Sequence, residues 1–405
     1  MNYSLRRKKL LSLIEKGTVI LFSGRKVLKS ADEAYPFEVN KNFLYMTGID
    51  QDETYLCLTK EKENLFVLPN DEKLARWVGY NLTIEEAQKI SQCDNVFTNE
   101  KILDELKTLA EKETIIYLDL TKTEFLGGID QGERLKELLL SFNNKLEIKD
   151  ISSLILSLRA VKDEDEINAL RHSIHITKLA LDSVMKKLPS FNNEKECQAL
   201  FEERIASIGH ARTSFATIAA GGKNATTLHY STNNQKFAPE DMILMDLGAC
   251  VNYYNADITR TFSHYGKYSD LQKSIYQIVL NCNKEIIKTI KPGITIKELQ
   301  EKTKSLLAQG LKDLHIITSD EELNEYYFHN VSHHLGLDTH DPMDRAVPLQ
   351  KGNVITVEPG LYLRNLGIGV RIEDDVLVTE NGSENLSKEI IKEIDDIEAF
   401  MKGIN

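Results

Sequence analysis

Asp246, Asp257, His333, Glu358 and Glu373 make a set of one imidazole and four carboxylates, each in or beside an apolar, strand-like run. An unpaired charge is expensive to bury, so a positive partner is expected among them, and two divalent metal ions would serve. Four negative charges around two such ions can also hold a bridging hydroxide, which is the equipment of a metallohydrolase. Spacing alone leaves this reading level with another, five unrelated polar residues at strand ends and in turns.

Asp246 ends the run MILMD, and Asp257 precedes ITRTF eleven positions later. A hairpin turned near Asn252 to Asn255 brings the two runs together, and a register with both carboxylates on one face is then available. Two adjacent like charges repel, and a shared cation relieves them. The alternative is that one caps a turn and the other pairs with Arg260. The segment HNVSHHLGLDTHDP, 329–342, carries four of the ten histidines, His329, His333, His334 and His340. Neutral imidazole is both a metal ligand and a proton shuttle. His329 and His333 are spaced to share a helical face, but Gly336 and the flanking turn residues oppose a regular helix. Position 330 is asparagine, so there is no HExxH motif.

Glu358 stands in VITVEPGLYL directly before Pro359, which biases it toward extended backbone. Glu373 stands in VRIEDDVLV, where period-two alternation puts Arg371, Glu373 and Asp375 on one face and Ile372 and Asp374 on the other. Arg371 is then placed to steer a ligand carboxylate; a plain Arg-Glu ladder on a solvated strand is the competing account. His229, in TTLHYS, is either a substrate contact or an ordinary polar loop residue. The carboxylate-rich set selects hard divalent ions, and its imidazole admits manganese, cobalt, iron or zinc.

The elements that must position these groups fall into two halves. In the first 150 residues short apolar runs at 18–24, 42–48, 53–59, 64–69 and 114–120 read as strands, and 71–92 and 99–112 have helical spacing. After about residue 155 the pattern changes. A long amphipathic helix is predicted over 162–188, begun by a capping box of Asp163 and Glu166, with a second helix over 194–210 and a helix pair around 269–310. Antiparallel-looking strands between and after them predict an α+β catalytic domain over 156–405, preceded by a smaller α/β domain over 1–155. The chain has no GxGxxG or Walker A pattern, so nucleotide chemistry has no foothold, and the glycines at 127–128 and 221–222 read as turns.

With 405 residues, 41% hydrophobic and 28% charged, the chain reads as ordered and globular. A net charge of −12 argues against nucleic acid as a partner. Five scattered cysteines without a CxxC pair fit a reducing cytoplasm. No apolar stretch reaches membrane-spanning length, and the basic start reads as an amphipathic first helix instead of a signal peptide.

In DLGACVNYYNADITRTF, HNVSHHLGLDTHD, VEPGLY and VRIEDDVLVTENG, in that order and spacing, the chain resembles the Xaa-Pro aminopeptidases (aminopeptidase P). Their metallopeptidase family also holds prolidase and methionine aminopeptidase. YPFEVNKNFLYMTGI, 35–49, is similar to the N-terminal domain of aminopeptidase P, although Glu38 and Val39 stand where the family often has Arg-Gln. The resemblance implies a pita-bread catalytic domain holding two divalent ions, manganese foremost, with Asp246 chelating one, Asp257 and Glu373 bridging, and His333 with Glu358 completing the other. It implies substrate contacts from His229, His329 and His340, and Arg371, from its place on the alternating strand, joins them as a candidate substrate-binding residue. The implied reaction is attack of a metal-bridging water on the bond before proline, Glu358 relaying the proton and His340 and His229 assisting. Proline-containing peptides are then the substrates, and a homodimer or homotetramer the assembly. Prolidase, with the same ligands, is the nearest rival, and a non-catalytic peptide-binding protein on this fold is a further one.

Overall fold

Short apolar runs cut by turn formers build a six-stranded mixed sheet in the first of two units, Met1–Arg159, of the computed structural model, which describes residues 1–121 and 130–403. In spatial order the strands are Asn95–Thr98, Glu63–Val67, Tyr55–Leu58, Thr18–Phe22, Ile115–Leu118 and Glu147–Asp150. Thr18–Phe22 runs antiparallel to Tyr55–Leu58 and parallel to Ile115–Leu118, so the sheet is mixed. Ile20, Phe66, Ile116 and Leu118 form a core with Leu106 and Leu109 of the helix Ile102–Lys112 and with Leu135 and Leu139 of the helix Gln131–Phe142.

One predicted strand is a helix. NFLYMTG folds as the helix Lys41–Thr47, because Asn40 accepts a hydrogen bond from the Phe43 N–H (2.9 Å) and Gly48 closes the last turn at φ 69. Every residue from Asn42 to Thr47 is buried, and an unbroken apolar run has no period to separate a buried short helix from a strand. The helical stretch 71–92 is two helices, Glu72–Val78 and Ile84–Ser91, interrupted at Gly79. Gly127 and Gly128 lie outside the described residues.

The second unit begins at Ala160. The helix Glu164–Lys187 opens on the reciprocal capping box of Asp163 and Glu166, and Glu194–Gly209 follows. Ser173 and Thr177 on its buried side reach the strands beside it: Ser173 Oγ donates to the Tyr254 carbonyl (2.8 Å), and Thr177 Oγ accepts from the Ala249 N–H (2.9 Å). Small antiparallel sheets carry the rest. Met242–Leu247 lies between Ile218–Gly221 and Ile258–Ser263, Asp374–Val378 lies between Val354–Val357 and Ser383–Asn385, and Gly360–Leu363 pairs with Ile368–Arg371. The helices Asp270–Thr289 and Ile296–Asp313 complete the α+β arrangement. No helix among the described residues is long and apolar enough to cross a membrane.

The expected hairpin is present, turned at Asn252 and Tyr253, both with positive φ, the backbone of a primed turn. Its register sets Asp246 opposite Thr259, and Asp257, two residues before Thr259, faces the same side. Between them the run breaks at Gly248, where Met242–Leu247 ends and Ala249–Val251 joins a different sheet. A side chain there would collide with the Ala256 carbonyl oxygen, so the crossing needs glycine. Gly248→Ala should therefore destabilise the protein by about 1–3 kcal/mol or more, read as a lower midpoint in thermal melts; an unchanged midpoint would show that the crossing yields.

Candidate metal centre

Each charged group of the set sits where a regular element stops. Asp246 is the penultimate residue of Met242–Leu247, and Asp257 immediately precedes Ile258–Ser263. Glu358 follows Val354–Val357, and Glu373 lies in the gap between Ile368–Arg371 and Asp374–Val378. His333 is on an irregular segment pinned alongside Val354–Val357: the Thr356 N–H donates to the His333 carbonyl, and the Glu358 N–H to that of Val331 (both 2.9 Å). Sheet alternation puts these side chains on one side, and strand ends let them converge.

They do converge. Asp246, Asp257 and Glu373 bring one oxygen each to within 4.8 Å of one another, and His333, Glu358 and Glu373 do the same with a nitrogen and two oxygens. Glu373 belongs to both groups, so the two seats are adjacent. A third group joins Asp257 and His333 to His340, whose ring stands edge-on to His333 with centroids 4.3 Å apart. His333 Nε2 lies 3.4 Å from Asp257 Oδ2 and 3.7 Å from Glu358 Oε1. Its Nδ1 lies 3.0 Å from the His334 carbonyl oxygen; a proton on Nδ1 makes that hydrogen bond and leaves the Nε2 lone pair facing the carboxylates.

The electrostatics are those of crowded acids. Burial, and then the charge of Asp246, push the Asp257 carboxyl well above the usual range. Burial and Asp257 do the same to Glu373, and burial raises Glu358 although His333 and Arg371 pull it down. Arg371 donates to Asp246 Oδ2 (2.5 Å), Thr259 Oγ (3.0 Å) and the Tyr362 hydroxyl (3.1 Å). Thr259 in turn donates to Glu373 Oε2 (2.7 Å). Asp246 Oδ1 is buried with no hydrogen-bond partner. One guanidinium beside four carboxylates leaves negative charge in excess, and an orphaned carboxylate oxygen among hard oxygen donors and one imidazole suits divalent metal ions. The residues fit such ions.

The remaining candidates line the same cavity of about 650 Å³, together with Leu228, Ile296, Met343 and Arg345. His329 Nε2 lies 2.9 Å from the Tyr362 hydroxyl and its Nδ1 2.8 Å from the Asn330 carbonyl; burial and Arg371 push its pKa down to about 3. His340 is pushed down to about 4 by burial, His333 and His229, so it is neutral near pH 7. His229 is exposed at the cavity wall. His334 turns to the Lys162 and Asp341 side, where burial lowers it to about 4. Arg371 reaches the cavity, but its guanidinium is engaged with Asp246, Thr259 and Tyr362.

Several supporting residues carry no sequence signal of chemistry. Asn283, fully buried on the helix Asp270–Thr289, donates to the carbonyls of Val357 (3.0 Å) and Ile372 (3.2 Å), the residues just before Glu358 and Glu373. Arg260 does not pair with Asp257. It points to the opposite face, donating to Asp374 Oδ1 (2.7 Å) and to the Glu373 carbonyl (2.5 Å). Lys392 joins Asp374 to Asn283. Burial works against the Asp374 charge, but Arg260 and Lys392 outweigh it and hold this carboxyl below the usual range. A polar residue at a core position of an amphipathic helix was the one clue to Asn283.

A cavity floored by two adjacent seats of carboxylates and one imidazole, on small antiparallel sheets flanked by long helices, defines a metallopeptidase of the pita-bread fold. The chain belongs to metallopeptidase family M24, whose sequence model matches residues 168–380, and residues 3–117 match the aminopeptidase P N-terminal domain. It is 32% identical to a mitochondrial intermediate cleaving peptidase 55 of Arabidopsis thaliana, over 98% of this chain and 82% of that protein. It is also 32% identical to the Xaa-Pro aminopeptidase of Haemophilus influenzae, over 95% and 93%. The solved structure of a putative aminopeptidase P from Bacillus anthracis superposes with a TM-score of 0.96 at 39% identity, covering 100% of this chain and 98% of that one.

Two measurements check the site. Asp257, Glu373 and Glu358 are raised in the folded state, so the folded metal-free protein binds protons that the unfolded chain releases above about pH 4. Their contribution to stability is therefore lost as pH rises from there through the raised folded values. Divalent metal needs the same groups deprotonated, so the gain in Tm on adding manganese should grow as pH rises above about 4; a gain independent of pH would contradict the arrangement. Asp374→Asn removes the carboxylate partner of the buried Arg260 and the half-buried Lys392 and should cost about 3–5 kcal/mol in denaturant unfolding.

Proposed function

We propose that this chain is an Xaa-Pro aminopeptidase, releasing the N-terminal residue from peptides with proline in second position. The observation that carries the reading is the pair of seats sharing Glu373 at the floor of a cavity walled by His229, His329 and His340. Asp246, Asp257 and Glu373 would hold one divalent ion and His333, Glu358 and Glu373 the other, Asp257 lying close enough to His333 to serve both. Manganese is the foremost candidate, and cobalt, iron and zinc accept the same donors. When bound, such ions supply a water activated at neutral pH and an electrophile for the scissile carbonyl.

The chain's own groups do the rest. Glu358, its proton affinity raised by burial, is suited to take a proton and return it to the leaving nitrogen. His340, neutral and beside both seats, has an N–H to offer to charge developing on the carbonyl oxygen, and His229, which also lines the cavity, offers a second contact. His329 accepts from Tyr362 and is held neutral, a fixed surface for the prolyl side. Arg371 orients Asp246. The nitrogen before proline carries no hydrogen, so recognition there rests on shape, for which Leu228, Ile296 and Met343 supply apolar wall.

Metal-free protein resupplied with one metal at a time should cleave Xaa-Pro-Yaa after its first residue and leave Met-Ala-Yaa intact. Cleavage of Xaa-Pro dipeptides alone would make it a prolidase, and no cleavage with any metal a binding protein. Asp257→Asn and Glu373→Gln should each lower kcat/KM by more than the roughly 10–100-fold that loss of an outer partner of a metal site costs.

A further inference from the structure

Outside the metal seats, Glu194 is a fully buried carboxylate whose charge is met by hydrogen-bond donors. It is the first residue of the helix Glu194–Gly209, after the capping Asn193, where the helix end favours a negative charge. Oε1 accepts from the Gly221 N–H and Asn224 Nδ2, and Oε2 from the Tyr230 hydroxyl and the Gln235 N–H, all at 2.8–2.9 Å. The Glu194 N–H donates to the Gln235 carbonyl (3.1 Å), and the Phe237 N–H to that of Asn192 (2.9 Å). Both ends of the segment 221–235 are thus tied to one side chain, and His229 rides on it.

The segment's inner side is anchored too. Leu228 and Tyr230, the two neighbours of His229, pack on the cluster of Ile218, Ala220, Ala225, Leu244 and Tyr362. His229 itself is exposed, with apolar contact on either side of it in sequence. A loop closed at its base and packed along one face has little freedom left at its rim.

We propose that Glu194 is the positioning residue for His229, fixing the loop so that the imidazole meets substrate from one direction. This rests on the reading of His229 as a substrate-facing group. Glutamine cannot replace Glu194 without conflict. Its single carbonyl oxygen can serve one pair of donors, and its NH₂ then faces the other pair. Asn224 can turn its amide and Tyr230 its hydroxyl, but each pair also contains a backbone N–H, of Gly221 or Gln235, that cannot turn.

The test is a double-mutant cycle on an Xaa-Pro-Yaa peptide with manganese-loaded protein, using E194Q, H229A and E194Q/H229A, with metal content measured for each. E194Q should lower kcat/KM by about 10–100-fold at parental metal content, the scale of a misplaced reacting group. In the H229A background the same substitution should change it by less than about twofold, because the group it positions is gone. A purely structural role would lower both backgrounds by the same factor, and that result overturns the proposal. Y230F removes one of the four donors and decides the matter if E194Q does not fold: its smaller loss should likewise vanish beside H229A. Parental kcat/KM in E194Q and Y230F with H229A impaired refutes the positioning role alone, whereas H229A at the parental rate refutes the role of His229 and the proposal with it.

Discussion

Four carboxylates held a few ångströms apart in a buried place are the constraint on which the second unit depends. Each ion costs several kcal/mol to bring out of water, and their mutual repulsion adds to it. Left alone, Asp246, Asp257, Glu358 and Glu373 would push the strand ends apart or take up protons, and the raised carboxyls of Asp257, Glu358 and Glu373 show that pressure. Arg371 offsets part of it at Asp246, and Thr259 donates to Glu373. The remainder is what makes the place attractive to divalent cations.

Strand alternation lets the same short segments face the problem and resist it. Thr259 and Glu373 face the carboxylate cluster while their neighbours Arg260 and Asp374 point behind it, where Arg260 and Lys392 both donate to Asp374. That rear network holds main chain as well as side chains: Arg260 grips the carbonyls of Thr259 and Glu373, and Asn283 those of Val357 and Ile372. The backbone on which the repelling groups are mounted is therefore fixed from the side away from them.

How much of this the sequence discloses follows from how local each determinant is. Alternation around Glu373 and the turn at Asn252 and Tyr253 are short-range, and they suffice to put Asp246, Asp257 and Glu373 on one side of their strands. The helix Glu164–Lys187 is legible from the capping pair Asp163 and Glu166. NFLYMTG is misread because its apolar run lacks a period and its identity as a helix lies in Asn40 and Gly48, at its two ends. Arg371 is legible as a cavity-side cation, but its partner Asp246 is 125 residues away, and no pattern in the neighbourhood of either names the other. Glu194 is more hidden still, since a glutamate in the first turn of a helix is ordinary and only the folded chain shows what it accepts.

The distance along the chain between Asp246 and Arg371 also has a temporal side. At about 5–20 residues per second, a ribosome needs roughly 6–25 s to make the 125 residues that separate them. For most of that interval the hairpin holding Asp246 and Asp257 is already synthesised, while its guanidinium and two of its fellow acids, Glu358 and Glu373, do not yet exist. The nascent hairpin therefore has reason to stay open to water until the last strands arrive, since the full set of charges exists only once Glu373 has been made.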